Sequence, residues 1–487
     1  MFAFSRTYAD PDLWGHIRFG QDLWQTGKII REDIYSYVTE GQLWINHEWL
    51  AEAIFYFVFA AGGVIGLVFF KICFSLLIVG TLYWELRRQV PVALRAAILT
   101  VAFSLSLIPY LSSVRPQLFT FFIFLLILIL IRKADQGTLR WLWLVPLLLA
   151  FGVNLHGGVL ASAGIFLLWV VVRLSWDVFR ERNLAAILTR SNLVLIGTAL
   201  AGIAAILLNP YGMQLPLFLL RTATVARPEI AEWQPVYSMN LSGKIYGLVL
   251  VIGLAGLIFS RKQRSVVLVI LFACTAILPM IAGRHLPLFG LACAVLVADH
   301  IADAWDRGMP ALHLATTHAE PLSRFSTLCL IMAVALVGTS LPNFQCIRVE
   351  LIPVKVLALL KQSNAAGNMA VHFDWGEYVL WHLSPQIKVS IDGRRETVYS
   401  DRIYRENLRF TSGLGDWDAI LKGHPTDLAL VSKAYPVFNL MKLTPGWTLA
   451  YEDPMSGLFV RQGSPSEGKL RATKPDASDN DARFCFP

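Results

Sequence analysis

The sequence is short of charge. Asp, Glu, Lys and Arg make up 16% of its 487 residues, against about 25% in an average soluble domain. Hydrophobic residues reach 55% and mean hydropathy is +0.55. That leaves too little polar surface to clothe a soluble fold of this length. Also missing are a glycine-rich nucleotide-binding motif, any Cys/His spacing of a metal site, a signal peptide of the usual kind and a solenoid repeat. The net charge of +8 would point to nucleic acid in a soluble protein, so its position along the chain has to be settled first.

What is present is a series of apolar runs. A bilayer core takes roughly 17–25 apolar residues as helix. Ten candidate spans lie at about 64–84, 96–110, 117–131, 141–155, 158–175, 193–209, 243–260, 265–282, 286–303 and 325–341. Alternate loops hold fifteen basic residues: Arg87, Arg88, Arg95, Arg132, Lys133, Arg140, Arg173, Arg180, Arg182, Arg190, Arg261, Lys262, Arg264, Arg307 and Arg324. The opposite short loops hold four: Arg115, Arg221, Arg227 and Arg284. The first set is therefore cytoplasmic. Net of acids these inner loops carry +10, whereas segment 1–60 carries −4. The basic excess is thus a topology signal, and it does not indicate nucleic acid.

This reading predicts a mainly α fold, a polytopic helical membrane bundle with three further parts. Residues 1–62 form an outer segment with amphipathic helices near 13–27 and 48–60, suited to the membrane interface. Residues 63–342 form the bundle. Residues 345–463 alternate strand-like runs at 369–373, 387–391, 428–431 and 458–461 with helical patterns at 353–362, 375–383, 401–410 and 416–422. They are expected to form a small α/β domain outside. The tail 464–487 has a disordered composition. With segment 1–60 outside and no span before it, the orientation implies a missing first helix, of which Phe2-Ala3-Phe4 would be the last turn. Cys73, Cys274, Cys293 and Cys329 fall in spans, as small apolar packing residues. Cys346 and Cys485 both fall outside and can pair, although the composition of the tail argues against it.

Polar chemistry collects in the outer segments, and the inner loops lack that mixture. Asp10-Pro11-Asp12 places two carboxylates at the mouth of a span. They can take a proton from a hydroxyl or hold a divalent cation such as Mg or Mn. Asp-Pro also commonly opens a helix, so a turn and N-cap explains the tripeptide equally. His16 follows Asp12 by four residues and shares its helical face. His47 and Glu48 are adjacent, and Ala51 excludes a zinc-type HExxH. Asn154-Leu155-His156-Gly157-Gly158 reads as a tight hairpin in which His156 serves as ligand or base, or only satisfies carbonyls. Arg284-His285, with Arg115, supplies cations that can hold a phosphate or snorkel to headgroups. Tyr211, Glu229, Glu232 and Trp233 complete the outer set. Asp392-Gly393-Arg394 ends an apolar strand, where α/β folds place ligand contacts. The same tripeptide is an ordinary turn with an Asp–Arg pair.

Three stretches together resemble a family of bacterial polytopic membrane proteins placed near the GT-C superfamily of integral membrane glycosyltransferases. They are Asp10-Pro11-Asp12-Leu13-Trp14-Gly15-His16-Ile17-Arg18-Phe19-Gly20, Asp33-Ile34-Tyr35-Ser36-Tyr37 and Trp44-Ile45-Asn46-His47-Glu48-Trp49-Leu50. Asn154-Leu155-His156-Gly157-Gly158, Asn209-Pro210-Tyr211-Gly212, Glu232-Trp233 and Asp392-Gly393-Arg394 extend the match to about residue 463. Gly15 departs from it, standing where a second aromatic residue is expected.

The resemblance implies transfer of a sugar from a polyprenyl-phosphate carrier to a glycan, lipid or protein acceptor at the outer face of the bacterial inner membrane. An acidic residue of the first outer loop serves as base or metal ligand. Asp10 and Asp12 match that place, with His16, His47, Glu48 and His156 as further catalytic candidates. Arg115, Arg284 and His285 would face the phosphate. Asn154, Tyr211, Glu232, Trp233, Asp392 and Arg394 would line the substrate. Competing readings are a flippase for a lipid-linked substrate, with Lys71 as its one intramembrane charge, and a non-catalytic envelope assembly protein.

Overall fold

The structure is a computed structural model that describes residues 7–223, 225, 227, 230–308, 346–349, 351–473 and 485–487. The expected span at 325–341, Glu229 and Cys329 lie outside the described residues. The chain packs as two units. One comprises residues 68–308, the other residues 7–67 with those from 346 onward.

Helix α1 (Leu13–Thr26) begins directly after Asp10-Pro11-Asp12 and stops at Gly27. That glycine takes φ 65°, and its N–H returns to the Leu23 carbonyl, an ending glycine accommodates without strain. α1 is amphipathic, as expected, but Leu13, Trp14, Gly15, His16, Ile17, Phe19 and Gly20 are buried against protein. Helix α2 (Trp49–Gln89) is interrupted at Gly63, whose φ of 58° and ψ of −149° are non-helical.

The first unit continues with apolar helices α3 (Ala93–Ser104), α4 (Gln117–Asp135), α5 (Leu144–Leu155), α6 (Val159–Glu181), α7 (Arg190–Ile206), α8 (Asn240–Phe259), α9 (Val266–Ile281) and α10 (Leu286–Gly308). Each of the nine described candidate spans coincides with one of α2 to α10. Among the described residues, five helices are long and apolar enough to cross a membrane: α2, α4, α6, α8 and the one ending at Gly308. The other four are shorter than 18 residues, so the expected count of ten spans is not confirmed. The chain is a multi-pass membrane protein. Arg132 ties α4 to α10 through the Leu296 carbonyl at 3.0 Å and Asp299 at 2.8 Å.

The second unit holds a five-stranded sheet of β1 (Gly367–Val371), β2 (Ile387–Val389), β3 (Leu428–Ser432), β4 (Trp447–Glu452) and β5 (Ser456–Arg461), in the order β2-β1-β3-β5-β4. β1 pairs in parallel with β2 and β3, while β5 is antiparallel to β3 and β4. Helix α11 (Val354–Gln362) precedes β1, α12 (Gly376–Leu383) lies between β1 and β2, and α13 (Asp401–Ser412) and α14 (Ala419–Gly423) lie between β2 and β3; the last three alternate with strands as the pattern predicts. The parallel β1–α12–β2 unit needs its helix as a crossover.

The N-terminal segment is woven into this sheet. The Val389 N–H donates to the Tyr35 carbonyl, and the Tyr37 N–H to the Val389 carbonyl. Cys346 and Cys485 form a disulfide, which corrects the sequence argument against that pair. Phe486 is buried, 5.3 Å from Trp14 and 5.7 Å from Phe59 between ring centres. Its burial against the α1 ring anchors the chain end that composition marked as loose.

Candidate functional site

In the second unit, four glycines set the geometry. A Cβ on Gly20 would overlap the Glu52 carbonyl, so α1 and α2 meet backbone to backbone there. One turn earlier, His16 then faces α2. Its Nδ1 lies 3.6 Å from Glu52 Oε1 and 3.9 Å from Glu48 Oε2. Asn46 Nδ2 donates to Glu52 Oε2, and His47 Nε2 lies 3.6 Å from Glu48 Oε1. Burial alone lowers the pKa of His16. The bond to Glu52 and the charges of Glu48, Glu52 and Asp12 outweigh it and raise the pKa to about 9.

A Cβ on Gly376 would overlap the Ile391 carbonyl. The start of α12 therefore lies on the segment leaving β2, which brings Glu377 to Gly393. A Cβ on Gly393 would strike both Asp12 Oδ1 and Glu377 Oε1, and one on Gly15 would strike the Glu377 carboxyl. The glycine at 15, out of step with the family pattern, thus makes room for a buried acid. The Gly15 N–H donates to Glu377 Oε2 at 3.0 Å. Burial, then the charges of Asp12 and Asp392, push Glu377 well above the usual carboxylate range, against Arg394 and the Gly15 bond. The Glu377 carboxyl beside Asp12 is therefore pushed toward its protonated form.

The two aspartates of the opening motif differ. Asp10 Oδ1 accepts the Asp12 N–H at 3.2 Å, a local turn. Asp12 occupies the N-cap of α1 without a side-chain capping bond, and its carboxylate meets Gly393. A cation held by Asp10 and Asp12 fits this poorly. Among the described residues the pair joins no third ligand, and the group with metal-ligand spacing is His16, Glu48 and Glu52.

Asp392 and Arg394 are inside the protein. Arg394 donates to Asp392 Oδ1 and Oδ2 at 3.0 and 2.7 Å and to Asp33 Oδ1 at 2.8 Å, while Tyr399 Oη donates to Asp392 Oδ2. The guanidinium stands 4.8–5.3 Å from the ring centres of Phe19, Tyr35 and Trp44. Burial alone disfavours its charge, but Asp392 and Asp33 more than offset this and raise its pKa. These contacts hold the turn after β2 in place.

The first unit gathers a cationic cluster. The Gly283 N–H donates to the Gln234 carbonyl at 2.8 Å, which joins the turn Gly283–His285 to the loop carrying Glu232 and Trp233. Arg227 and Arg284 lie 3.7 and 4.4 Å from the Trp233 ring centre. Glu232 sits 3.6 Å from Arg115 and 3.9 Å from Arg284. Two guanidiniums, of Arg115 and Arg284, thus stand against Glu232, and a third, of Arg227, packs on the Trp233 ring. His285 is half-buried beside Arg284.

The other candidates of that unit have structural partners. His156 Nδ1 accepts the Gly158 N–H at 3.0 Å and lies 2.8 Å from Thr120 Oγ1, so the Thr120 hydroxyl donates to it and the ring proton sits on Nε2. Asn154 Nδ2 donates to the carbonyls of Ala150 and Leu208, each at 2.8 Å, linking α5 to the end of α7. The Tyr211 N–H donates to Asn209 Oδ1, and its side chain is buried.

Sequence reasoning gave no role to Glu52, Glu377, Asp33, Tyr399 or Arg227. Glu52 carried a signal, since it follows Glu48 by four residues on a helix. Asp33 stood within a quoted motif and Glu377 within the helical pattern at 375–383, yet their partners are more than 350 positions away.

No family model matches the sequence, and no curated protein matches it. Solved structures do. The oligosaccharyltransferase of Archaeoglobus fulgidus in its apo form superposes with a TM-score of 0.58 at 13% identity, over 88% of this chain and 66% of that one. AglB of the same organism, in complex with an inhibitory peptide and a dolichol-phosphate, gives 0.56 at 14% identity over the same shares. ArnT from Cupriavidus metallidurans, bound to undecaprenyl phosphate, gives 0.49 at 13% identity over 95% and 96%. The chain spans just under two thirds of the length of the archaeal proteins. Its fold is GT-C-like.

Proposed function

We propose that the protein is a membrane glycosyltransferase of GT-C type. It moves a sugar from a polyprenyl-phosphate donor to an acceptor hydroxyl at the outer face of the bacterial inner membrane, with the C-terminal domain outside. The observation that carries this reading is Asp12. On a GT-C-like fold, its carboxylate stands at the start of α1 against Gly393 and beside Glu377, a buried acid whose pKa is raised. The dolichol-phosphate carried by the archaeal AglB supports a lipid phosphate as the donor.

The step needs a base for the incoming hydroxyl and positive charge for the leaving group. Asp12 takes the hydroxyl proton as the acceptor oxygen bonds to the anomeric carbon. The bond from that carbon to the phosphate oxygen breaks, and the electron pair leaves with the polyprenyl phosphate. Separately, within the first unit, Arg115, Arg227 and Arg284 around Trp233 offer guanidiniums, whose geometry suits a lipid phosphate. Glu377, pushed toward its protonated form, removes a like charge from beside Asp12 and can return a proton. His16 and His47 orient the Glu48 and Glu52 carboxylates, and Asp392 with Arg394 positions Gly393 against Asp12.

The test is transfer of labelled sugar by the full chain in proteoliposomes, from polyprenyl-phosphate donors of several sugars to a panel of acceptors. Wild-type protein consumes a donor and Asp12→Asn does not, while the variant keeps its melting temperature and insertion. Full turnover by folded Asp12→Asn would contradict the role.

A further inference from the structure

The cluster around His16 carries an inference independent of the proposed reaction. His16, Glu48 and Glu52 bring one nitrogen and two carboxylate oxygens within 4.8 Å of one another. Their side chains are only 10, 17 and 5% exposed. Two carboxylates held together away from water need compensation, because unpaired buried charge is costly. The imidazoles of His16 and His47 stand against these carboxylates, and a bound cation would add to that compensation.

We propose that His16, Glu48 and Glu52 form a binding site for one divalent first-row metal ion of the zinc type, with a fourth position left open. The donor chemistry selects the metal. Magnesium and calcium take oxygen ligands, whereas mixed imidazole and carboxylate donors suit zinc and its neighbours. Three protein ligands with an open position are the pattern of zinc sites that bind a water or an exogenous group.

The distances fit. Bonds of about 2.0–2.2 Å place tetrahedral donors roughly 3.4 Å apart. The observed separations from His16 Nδ1 are 3.6 and 3.9 Å, and all three donor atoms lie within 4.8 Å of one another, so closure takes at most about 1.4 Å. The surroundings are built for it. Gly20 lets α1 approach the Glu52 backbone. Asn46 donates to Glu52 Oε2 and accepts the Glu48 N–H at 3.1 Å, so one amide orients both carboxylate residues, as outer partners of metal ligands do. His47 stands against the second oxygen of Glu48, and the Phe55 ring walls the site 6.1 Å from His16.

The experiment uses the full chain in detergent, stripped with a chelator and titrated with Zn²⁺ and Co²⁺. One equivalent of Zn²⁺ is expected, with a visible Co²⁺ absorption band that Zn²⁺ displaces. Glu52→Gln and His16→Gln should weaken Zn²⁺ about 100-fold or more, beyond the 10–100-fold typical of outer partners. Glu48→Gln, at the more exposed ligand, serves where those variants fail to fold. Glu40→Gln, at an exposed carboxylate, should bind as wild type does. Failure to bind Zn²⁺, or binding that Glu48→Gln and Glu52→Gln leave unchanged, overturns the proposal and identifies the cluster as a closed ion triad. Because the readout is metal binding, either result leaves the glycosyl-transfer reading standing on its own test.

Discussion

Two charged clusters, one in each unit, hold their charge in opposite ways. In the unit of α1 and the sheet, ionised groups are inside: Asp33 and Asp392 are fully buried and Arg394 is 6% exposed, bonded to both at 2.7–3.0 Å. In the unit of α3 to α10, Arg115, Arg284 and Glu232 remain about one-fifth to one-quarter exposed and sit 3.6–3.9 Å apart. A buried pair punishes the loss of either partner, because the survivor stays unpaired in a poor solvent for charge. A half-exposed pair contributes little to stability, and its charge is more open to a ligand. The first cluster therefore reads as architecture and the second as a binding surface.

Four substitutions would break or sharpen that contrast. The largest effect is expected at Arg394. Arg394→Met leaves Asp33 and Asp392 buried without their cation and should cost about 3–5 kcal/mol in chemical denaturation. A loss under about 1 kcal/mol would mean that the network is solvated after all. Next comes Gly20→Ala, whose methyl meets the Glu52 carbonyl. It should cost roughly 1–3 kcal/mol, the usual penalty for overpacking, and weaken Zn²⁺ uptake by parting His16 from Glu52. An unchanged melting curve would show that the helices yield there.

Arg284→Ala should behave differently from both. A change below about 1 kcal/mol in stability is expected, together with a rise of about tenfold in KM for a polyprenyl-phosphate donor, the worth of one charge-assisted contact. Loss of folding without a change in KM would reverse the contrast between the clusters. The smallest effect concerns Glu377. Its folded pKa lies above the ordinary 4.5, so the folded state holds a proton that the unfolded state releases. Its contribution is fully present below that pH and is lost as the pH rises through the folded value. Glu377→Gln should therefore match wild type in melting temperature near pH 4 and exceed it increasingly as the pH climbs. Parallel curves would show that Glu377 is ionised in the fold.

The contrast also explains what the sequence could show. Apolar runs marked each of α2 to α10, because lipid imposes its requirement segment by segment. Arg115, Glu232, Trp233 and Arg284 were visible for the same reason, as polar residues at the ends of apolar runs. β1, β2, β3 and β5 followed from local patterning. β4 was missed, since each of its residues is only partly buried or exposed and no apolar run marks it. The carboxylate site was legible in half. Asp12 and His16 share a helix face, but the pairing of Asp12 with Glu377 and the insertion of Tyr35–Tyr37 beside Val389 depend on tertiary contacts that local patterning does not record. The disulfide Cys346–Cys485 was hidden likewise, because the composition of the tail says nothing of the pocket that receives Phe486.

The most direct test compares Asp10 with Asp12. Both are carboxylates of one tripeptide, but Asp10 closes a turn whereas Asp12 faces Gly393 and Glu377. In the proteoliposome assay, Asp12→Asn should lose about 10²–10⁴-fold in transfer, the usual worth of a general base. Asp10→Asn, which keeps an oxygen to accept the Asp12 N–H, should stay within about tenfold of wild type, one hydrogen bond's worth. Equal losses in the two variants, or transfer preserved in Asp12→Asn, would contradict the assignment of Asp12 as the base.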